Sequence, residues 1–176
     1  WYNHDLWEGF SRNGITADYI NEGVLQRARA ENGKIFSENA EYQMVIVSGA
    51  VAIEPETASA IHQLANEGVK FVFIDRMPSQ APSFYEKEMN DQKVKELMDE
   101  IRELDNINIV AAPDDESDIT RWTSMIARDY GLSSNISLEP VNENIYAVKY
   151  KFGDNDILFF SNQDETEYHE FTARFN

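Results

Sequence analysis

The apolar positions of this chain keep one spacing up to about residue 133 and another beyond it. Met44 to Val47 and Val69 to Ile74 are short apolar runs rich in β-branched and aromatic residues, the pattern of strands buried on both faces. Between them Pro55-Glu-Thr opens a helix whose Ile61, Leu64 and Ala65 make a single stripe. The segment from Tyr42 to Asp75 therefore reads as a βαβ unit, with parallel strands and a right-handed crossover. Such a unit places ligands outside the carboxyl ends of its strands, here around Ser48-Gly49 and Asp75-Arg76.

Helical spacing continues on either side. Leu6, Trp7 and Phe10 share a face of a first helix that stops at Asn13-Gly14, and Ile15 to Ile20 is extended. Asn21 is placed to cap a second helix through Val24, Leu25 and Ala28, ending near Asn32-Gly33, with a minor strand at Lys34 to Ser37. After the βαβ unit, Arg76-Met-Pro-Ser-Gln-Ala-Pro-Ser has two prolines that forbid regular structure and reads as a loop on the ligand edge. Asn90 is expected to cap the next helix, whose buried face is Val94, Leu97, Met98, Ile101 and Leu104 and which ends at Asp105-Asn106. Ile107 to Ala112 reads as a third parallel strand. Pro113-Asp-Asp-Glu-Ser then leads into a helix with Ile119, Trp122, Met125, Ile126 and Tyr130, stopped by Gly131.

Beyond Ser133 the period falls to two. Ile136-Ser-Leu, Ile145 to Phe152, Asp156 to Ser161 and Tyr168 to Phe175 alternate as antiparallel strands, with turns at Gly153-Asp-Asn-Asp and Asn162-Gln-Asp-Glu-Thr. The predicted organisation is an α/β domain over residues 1–133 and an antiparallel segment over 134–176. Four strands are too few for a complete sandwich of about seven. They either lie on the α/β body or belong to a longer protein.

Composition narrows the partners. The 176 residues include 32 acidic and 15 basic side chains, a net charge of −17, which disfavours nucleic acid and anionic membrane surfaces. The absence of cysteine rules out disulfides, thiolate metal sites and a cysteine nucleophile. No apolar run approaches the roughly 18 residues of a membrane span.

Several strings carry a family likeness. Asp18-Tyr-Ile-Asn-Glu-Gly-Val-Leu, Asn32-Gly-Lys-Ile, Tyr42-Gln-Met-Val-Ile-Val, Pro55-Glu-Thr, Leu64 to Gly68 and Phe71-Val-Phe-Ile-Asp-Arg-Met-Pro resemble the accessory α/β domain of the large bacterial α-L-rhamnosidase-type glycoside hydrolases. That domain is similar to glutamine-amidotransferase-like and β-galactosidase trimerisation domains. Asn155-Asp-Ile-Leu-Phe-Phe-Ser-Asn-Gln-Asp resembles the start of the β-sandwich that follows it. The resemblance implies an α/β three-layer sandwich with a central parallel sheet, flavodoxin-like or amidotransferase-like, plus short antiparallel C-terminal strands. It also implies a non-catalytic accessory role in a secreted or periplasmic enzyme acting on plant or host glycans. The partners would be a neighbouring catalytic barrel domain of the same polypeptide and further copies in a homo-oligomer. The catalytic carboxylates and any calcium site would sit on that barrel, so no catalytic residue, metal or cofactor is carried over to this chain. The chain departs from the family in lacking a strand before Leu6, as expected of a piece whose upstream neighbour was removed.

The residues themselves offer few chemical groups at the ligand edge. Ser48 follows Val47 and lacks the preceding glycine of a nucleophile elbow, so it reads as a strand-end serine. His4, His62 and His169 lie on three separate elements and do not form a metal site. Asp114, Asp115, Glu116 and Asp118 suit a helix N-terminus better than a paired-carboxylate site, and neither that run nor Asp154-Asn-Asp has the form of a calcium loop. Trp1, Tyr2 and Trp7 could stack on a sugar, but their helical spacing favours packing. The positions assigned to ligand contact are Ser48, Gly49, Asp75, Arg76, Pro113 and Asp114, with Asp75-Arg76 foremost. The alternative function is a self-contained module that binds a small ligand such as a sugar at this edge.

Overall fold

A computed structural model describes residues 2–37, 40–134, 136–140, 142 and 144–175, with the side chains of Tyr2, Glu116 and Lys151 left aside. The chain gathers into two compact units, one of residues 20–112 and one of residues 1–19 with 113–176.

The unit of residues 20–112 begins with α2 (Glu22–Gln26), capped as expected by Asn21, whose side chain accepts from the Val24 amide at 3.0 Å. The helix does not run on through Ala28. Arg29–Glu31 (β1) pairs antiparallel with Lys34–Ser37 (β2) around Asn32-Gly33, whose φ angles are both positive, 53° and 75°. Two central residues of this conformation give the hairpin turn whose twist matches its strands, so Asn-Gly here turns a ribbon instead of ending a helix. Ala40–Tyr42 (β3) completes a three-stranded antiparallel sheet in the order β1-β2-β3.

The three parallel strands form as expected. Met44–Ser48 (β4), Lys70–Ile74 (β5) and Ile107–Val110 (β6) pair in that order, with Val45 opposite Phe71 and Phe71 opposite Ile107. The crossovers α3 (Pro55–Asn66) and α4 (Lys87–Ile101) pack against each other, so they share one face of the sheet. There Ile61, Leu64, Val94 and Met98 are buried in one cluster with Phe71 and Phe73. Asn106 ties the layers: its side chain donates to Ala65 O at 2.8 Å and Val69 O at 2.7 Å, while its carbonyl accepts from the Phe71 amide. The chain is thus mixed α/β, with a three-stranded parallel sheet plus antiparallel strands.

Helix α4 starts earlier than Asn90 and ends before Asp105. The residue preceding it is Glu86, in the left-handed conformation at φ 46°. Asn90 lies inside the helix and donates back to Tyr85 O at 3.0 Å. Lys87 reaches Asp91 one turn on at 2.9 Å, and the Asp91 carboxylate accepts the Ala81 amide at 2.7 Å, which draws the residues before Asn90 into the helix.

In the other unit α1 (Tyr2–Arg12) packs on α5 (Ile119–Asp129), as Leu6 and Phe10 and the Ile119, Trp122 and Ile126 stripe require. The helices approach so closely at Gly9 that a Cβ there would lie 2.8 Å from Thr123 Oγ1. Asn13 donates to Gly9 O, Thr120 O and Thr123 Oγ1, locking the end of α1 to α5. The alternating segments are Ile136–Glu139 (β7) paired antiparallel with Thr172–Phe175 (β10), and the hairpin of Ile145–Phe152 (β8) with Asn155–Asn162 (β9). Phe152 pairs with Asn155, leaving Gly153-Asp154 as the predicted turn. The last strand is shorter than its alternation from Tyr168 suggests, because the chain from Asp164 to His169 is folded on itself by side-chain hydrogen bonds. Both α1 and α5, read from the sequence within the α/β part, gather in space with the antiparallel strands.

Candidate functional site

The carboxyl ends of β4 and β5 bring Ser48, Gly49, Asp75 and Arg76 to one edge of the parallel sheet. Gly49 and Asp75 both leave their strands in the left-handed region, at φ 58° and 66°. At Gly49 nothing would meet an added Cβ, so glycine is needed there for its backbone alone. Asp75 is one of the few residue types that visits this conformation through local hydrogen bonding. Its amide donates to Val110 O at 2.8 Å, and its Oδ1 accepts the Ala112 amide at 2.8 Å. The carboxylate therefore fastens the exit of β6 to the exit of β5.

Backbone hydrogen bonds cross the rest of this edge. The Gly49 amide donates to Ile74 O at 3.3 Å, the Ser79 amide to Val51 O at 3.1 Å and the Ile53 amide to Gln80 O at 3.0 Å. Ala52 and Gln80 form a parallel bridge, so the proline-containing loop after β5 runs beside the segment after β4. Buried Met77 and Ala81 anchor that loop in the core. At its far end the Asp91 carboxyl is held below the usual carboxylate range, chiefly by the Ala81 amide and then by Lys87. The predicted loop is present, and its place is fixed by the sheet ends it borders.

Pro113 and Asp114 belong to the other unit, half-buried and exposed respectively. Within the acidic run they begin, Asp115 accepts the Ser117 amide at 2.8 Å, and this bond lowers its carboxyl pKa. Glu116–Asp118 is a 3-10 turn that leads into α5, and Asp118 precedes the helix without a side-chain cap bond. The run thus begins a helix, with Asp115 supplying the bond.

Each histidine meets its own carboxylate: His4 and Glu8 at 3.2 Å, His62 and Glu100 at 2.8 Å, His169 and Asp164 at 3.3 Å. Among the described residues no group of three or more His, Asp or Glu is placed to hold a metal ion. A shallow, open depression of about 510 Å³ on the outer surface of α3 and α4 is lined by His62, Gln63, Asn66, Glu67 and Glu100. Trp1 lies outside the described residues. Trp7 donates to Ala17 O at 2.9 Å and stacks between His4 and Tyr146, both with ring centroids 6.0 Å away, which is the packing its spacing implies.

Two polar clusters escaped the sequence reading. Glu22 of α2 accepts the Glu54 amide at 3.1 Å and the Thr57 hydroxyl, while Gln26 donates to Thr57 Oγ1 at 2.9 Å. A carboxylate from another helix thus does the capping that Glu54 does not do for α3. In the other unit Asp164 accepts from the Thr166 amide and hydroxyl and the Glu167 amide, and these bonds bring its carboxyl down to about 2. The Asp-Glu-Thr turn signal marked the place, but period-two reading gives no account of which side chain closes it.

Compared with known proteins, the chain matches no family model, no curated protein and no solved structure.

Proposed function

We propose that this chain is a non-catalytic accessory domain of a multidomain glycoside hydrolase of the α-L-rhamnosidase type, acting as a scaffold beside a catalytic barrel in a secreted or periplasmic enzyme. The reading begins from the resemblance of the Asp18 to Leu25, Tyr42 to Val47 and Phe71 to Pro78 strings. One structural observation supports it most: the Asp75 carboxylate accepts the Ala112 amide, so the foremost acidic group at the ligand edge is engaged in holding strand ends together. The loop hydrogen bonds between 51–53 and 79–80 serve the same purpose. In this reading the parallel sheet and the α3–α4 helix layer on its one face are two of the layers of a flavodoxin-like or amidotransferase-like three-layer sandwich.

Aryl α-L-rhamnosides and related aryl glycosides, incubated with the purified chain, should release no aglycone above the rate in buffer. Turnover that disappears in Asp75→Asn or Asp114→Asn would overturn the scaffold role. A second reading, a sugar-binding module, is favoured by exposed Arg76 beside half-buried Ser48. Amide chemical shifts of residues 48–49 and 75–76 that respond to a panel of monosaccharides would select it.

A further inference from the structure

Asparagine followed by glycine occurs twice, at Asn13-Gly14 and Asn32-Gly33, and the fold treats the two pairs differently. The dipeptide matters chemically because a glycine amide nitrogen, with no side chain beside it, can attack the carboxamide carbon of the residue before it. At Asn13 both reacting groups are held. Its side-chain nitrogen, which would be the leaving group, donates to Gly9 O at 2.8 Å, Thr120 O at 2.9 Å and Thr123 Oγ1 at 3.0 Å. The Gly14 amide, which would be the nucleophile, donates to Ser11 O at 3.0 Å. Asn32 is exposed, and among the described residues neither its side chain nor the Gly33 amide has a hydrogen-bond partner.

Backbone shape sets a condition on the attack. Asn32 stands at φ 53°. With the ψ of about 47° usual for that region, the Gly33 nitrogen lies anti to the Asn32 Cβ and out of reach of Cγ, so a ring closes only when the turn opens. Opening is a local event here. Strand β1 is an edge strand of three residues, joined to β2 over three residue pairs, and of its side chains only half-buried Ala30 packs on the core. Short edge elements with few buried contacts lie at the low end of local opening free energies. Asn13, by contrast, is bonded into α5 from the end of α1, and its release requires parting two packed helices.

We infer that Asn32 is a site of spontaneous deamidation, a covalent modification that Asn13 escapes in the folded chain. In the opened turn the Gly33 nitrogen gives its proton to base and bonds to Asn32 Cγ. The Cγ–Nδ2 bond then breaks, and the nitrogen takes up a proton and departs as ammonia, leaving a cyclic imide. Water adds to one of the two imide carbonyls. Cleavage on the Cγ side restores the main chain and leaves an aspartate; cleavage on the main-chain side leaves an isoaspartate, whose backbone runs through Cβ and Cγ. One water is consumed and one ammonia released, with no oxidant or reductant. The products differ in their effect on the fold. Aspartate before glycine suits the same hairpin turn. Isoaspartate adds a methylene to the two-residue loop, which disturbs the pairing of Glu31 with Lys34 and the approach of Gly33 to Gly68 O, and so loosens β1. This inference stands apart from the proposed accessory role and holds or fails without it.

Tryptic mapping of the aged full chain by mass spectrometry tests it, since residues 13–27 and 30–34 fall in different peptides. Kept folded at mildly alkaline pH, the protein should gain about 1 Da in peptide 30–34 at least about tenfold faster than in peptide 13–27. In concentrated urea that contrast should vanish. Equal rates in the folded protein, a contrast as large in urea, or a peptide 30–34 that stays unmodified while the unfolded chain converts would each overturn the inference. The isoaspartate product, separated by chromatography, should show faster amide exchange at residues 29–31 than unaged protein, whereas Asn32→Asp should exchange as wild type does. Isoaspartate protein as protected there as wild type would overturn the claim that the modification loosens β1.

Discussion

Replacing Asp75 in turn by asparagine, glycine and alanine separates the backbone demand at this edge from the side-chain bond. The backbone sits at φ 66°, where an ordinary L-residue is disfavoured by about 1–2 kcal/mol. The bond from the Ala112 amide at 2.8 Å contributes about 1 kcal/mol, below the usual range for charged groups because the site is exposed. Alanine loses both and should destabilise by about 2 kcal/mol. Glycine loses the bond but adopts the conformation freely, so its cost should be about 1 kcal/mol. Asparagine keeps an acceptor and tolerates the left-handed region, and should stay within about 0.5 kcal/mol of wild type. Urea unfolding followed by far-ultraviolet circular dichroism measures the series; tryptophan emission does not, since Trp1, Trp7 and Trp122 all lie outside residues 20–112. With a slope of about 1–3 kcal/mol/M, the alanine midpoint should fall by roughly 1 M at unchanged slope. An alanine variant as stable as wild type, or a glycine variant less stable than alanine, would refute the reasoning.

Four further outcomes are expected. Gly14→Ala puts a Cβ 1.8 Å from Ile136 O at φ 70°, so tryptophan fluorescence, which comes from the unit of Gly14 and Ile136 alone, should report a loss of about 3 kcal/mol or more; a melt like wild type would contradict the close approach. Gly33→Ala combines φ 75° with a 3.2 Å approach to Gly68 O and should cost about 1–2 kcal/mol, with faster amide exchange in β1 and β2 as the check. Asn106→Ala removes the side-chain donors to Ala65 O and Val69 O, of which Ala65 O keeps the Gly68 amide, and should lower stability by about 1–2 kcal/mol in urea unfolding. Asp164 has a folded pKa of about 2, depressed below its ordinary value, so its stabilisation of the 162–169 loop is complete above about pH 4 and lost as pH falls towards 2. A carboxyl carbon titration by NMR should show this, with Thr166→Ala raising the value; a wild-type midpoint near 4 would count against it.

What could be read from the chain depended on whether the deciding interaction was local. The β4-α3-β5 succession was legible because buried strands and an amphipathic helix leave different periods, and those periods reflect packing. Asn32-Gly33 was misread because glycine after asparagine serves equally to end a helix or to turn a hairpin. The choice was made by Arg29 to Glu31 finding β2, a cross-strand pairing that the short helix signal concealed. Asn90 was misassigned for a related reason: a capping residue type occurs inside α4, while the true start at Glu86 was set by Asp91 reaching Ala81. At the candidate edge, Asp75 and Gly49 were identifiable by position at strand ends. The Ala112 partner was not, since it lies 37 residues on and becomes a neighbour only through strand order. Glu22 capping α3 is the same case, a bond between elements that no local pattern records.

The unit of residues 20–112 is contiguous, whereas its companion is assembled from residues 1–19 and 113–176. On a ribosome making residues from the N-terminus, α1 is finished while the helix it packs against, α5, begins only at Ile119. The apolar face of α1, with Leu6 and Phe10, must wait through the synthesis of the whole parallel sheet before its partner exists. Closing so long a loop costs little more than closing one half its length, about 0.6 kcal/mol per doubling, so the delay concerns timing more than final stability. Helix α1 is therefore made well before it can be buried, and over that interval its apolar face is open to a chaperone or an early folding partner.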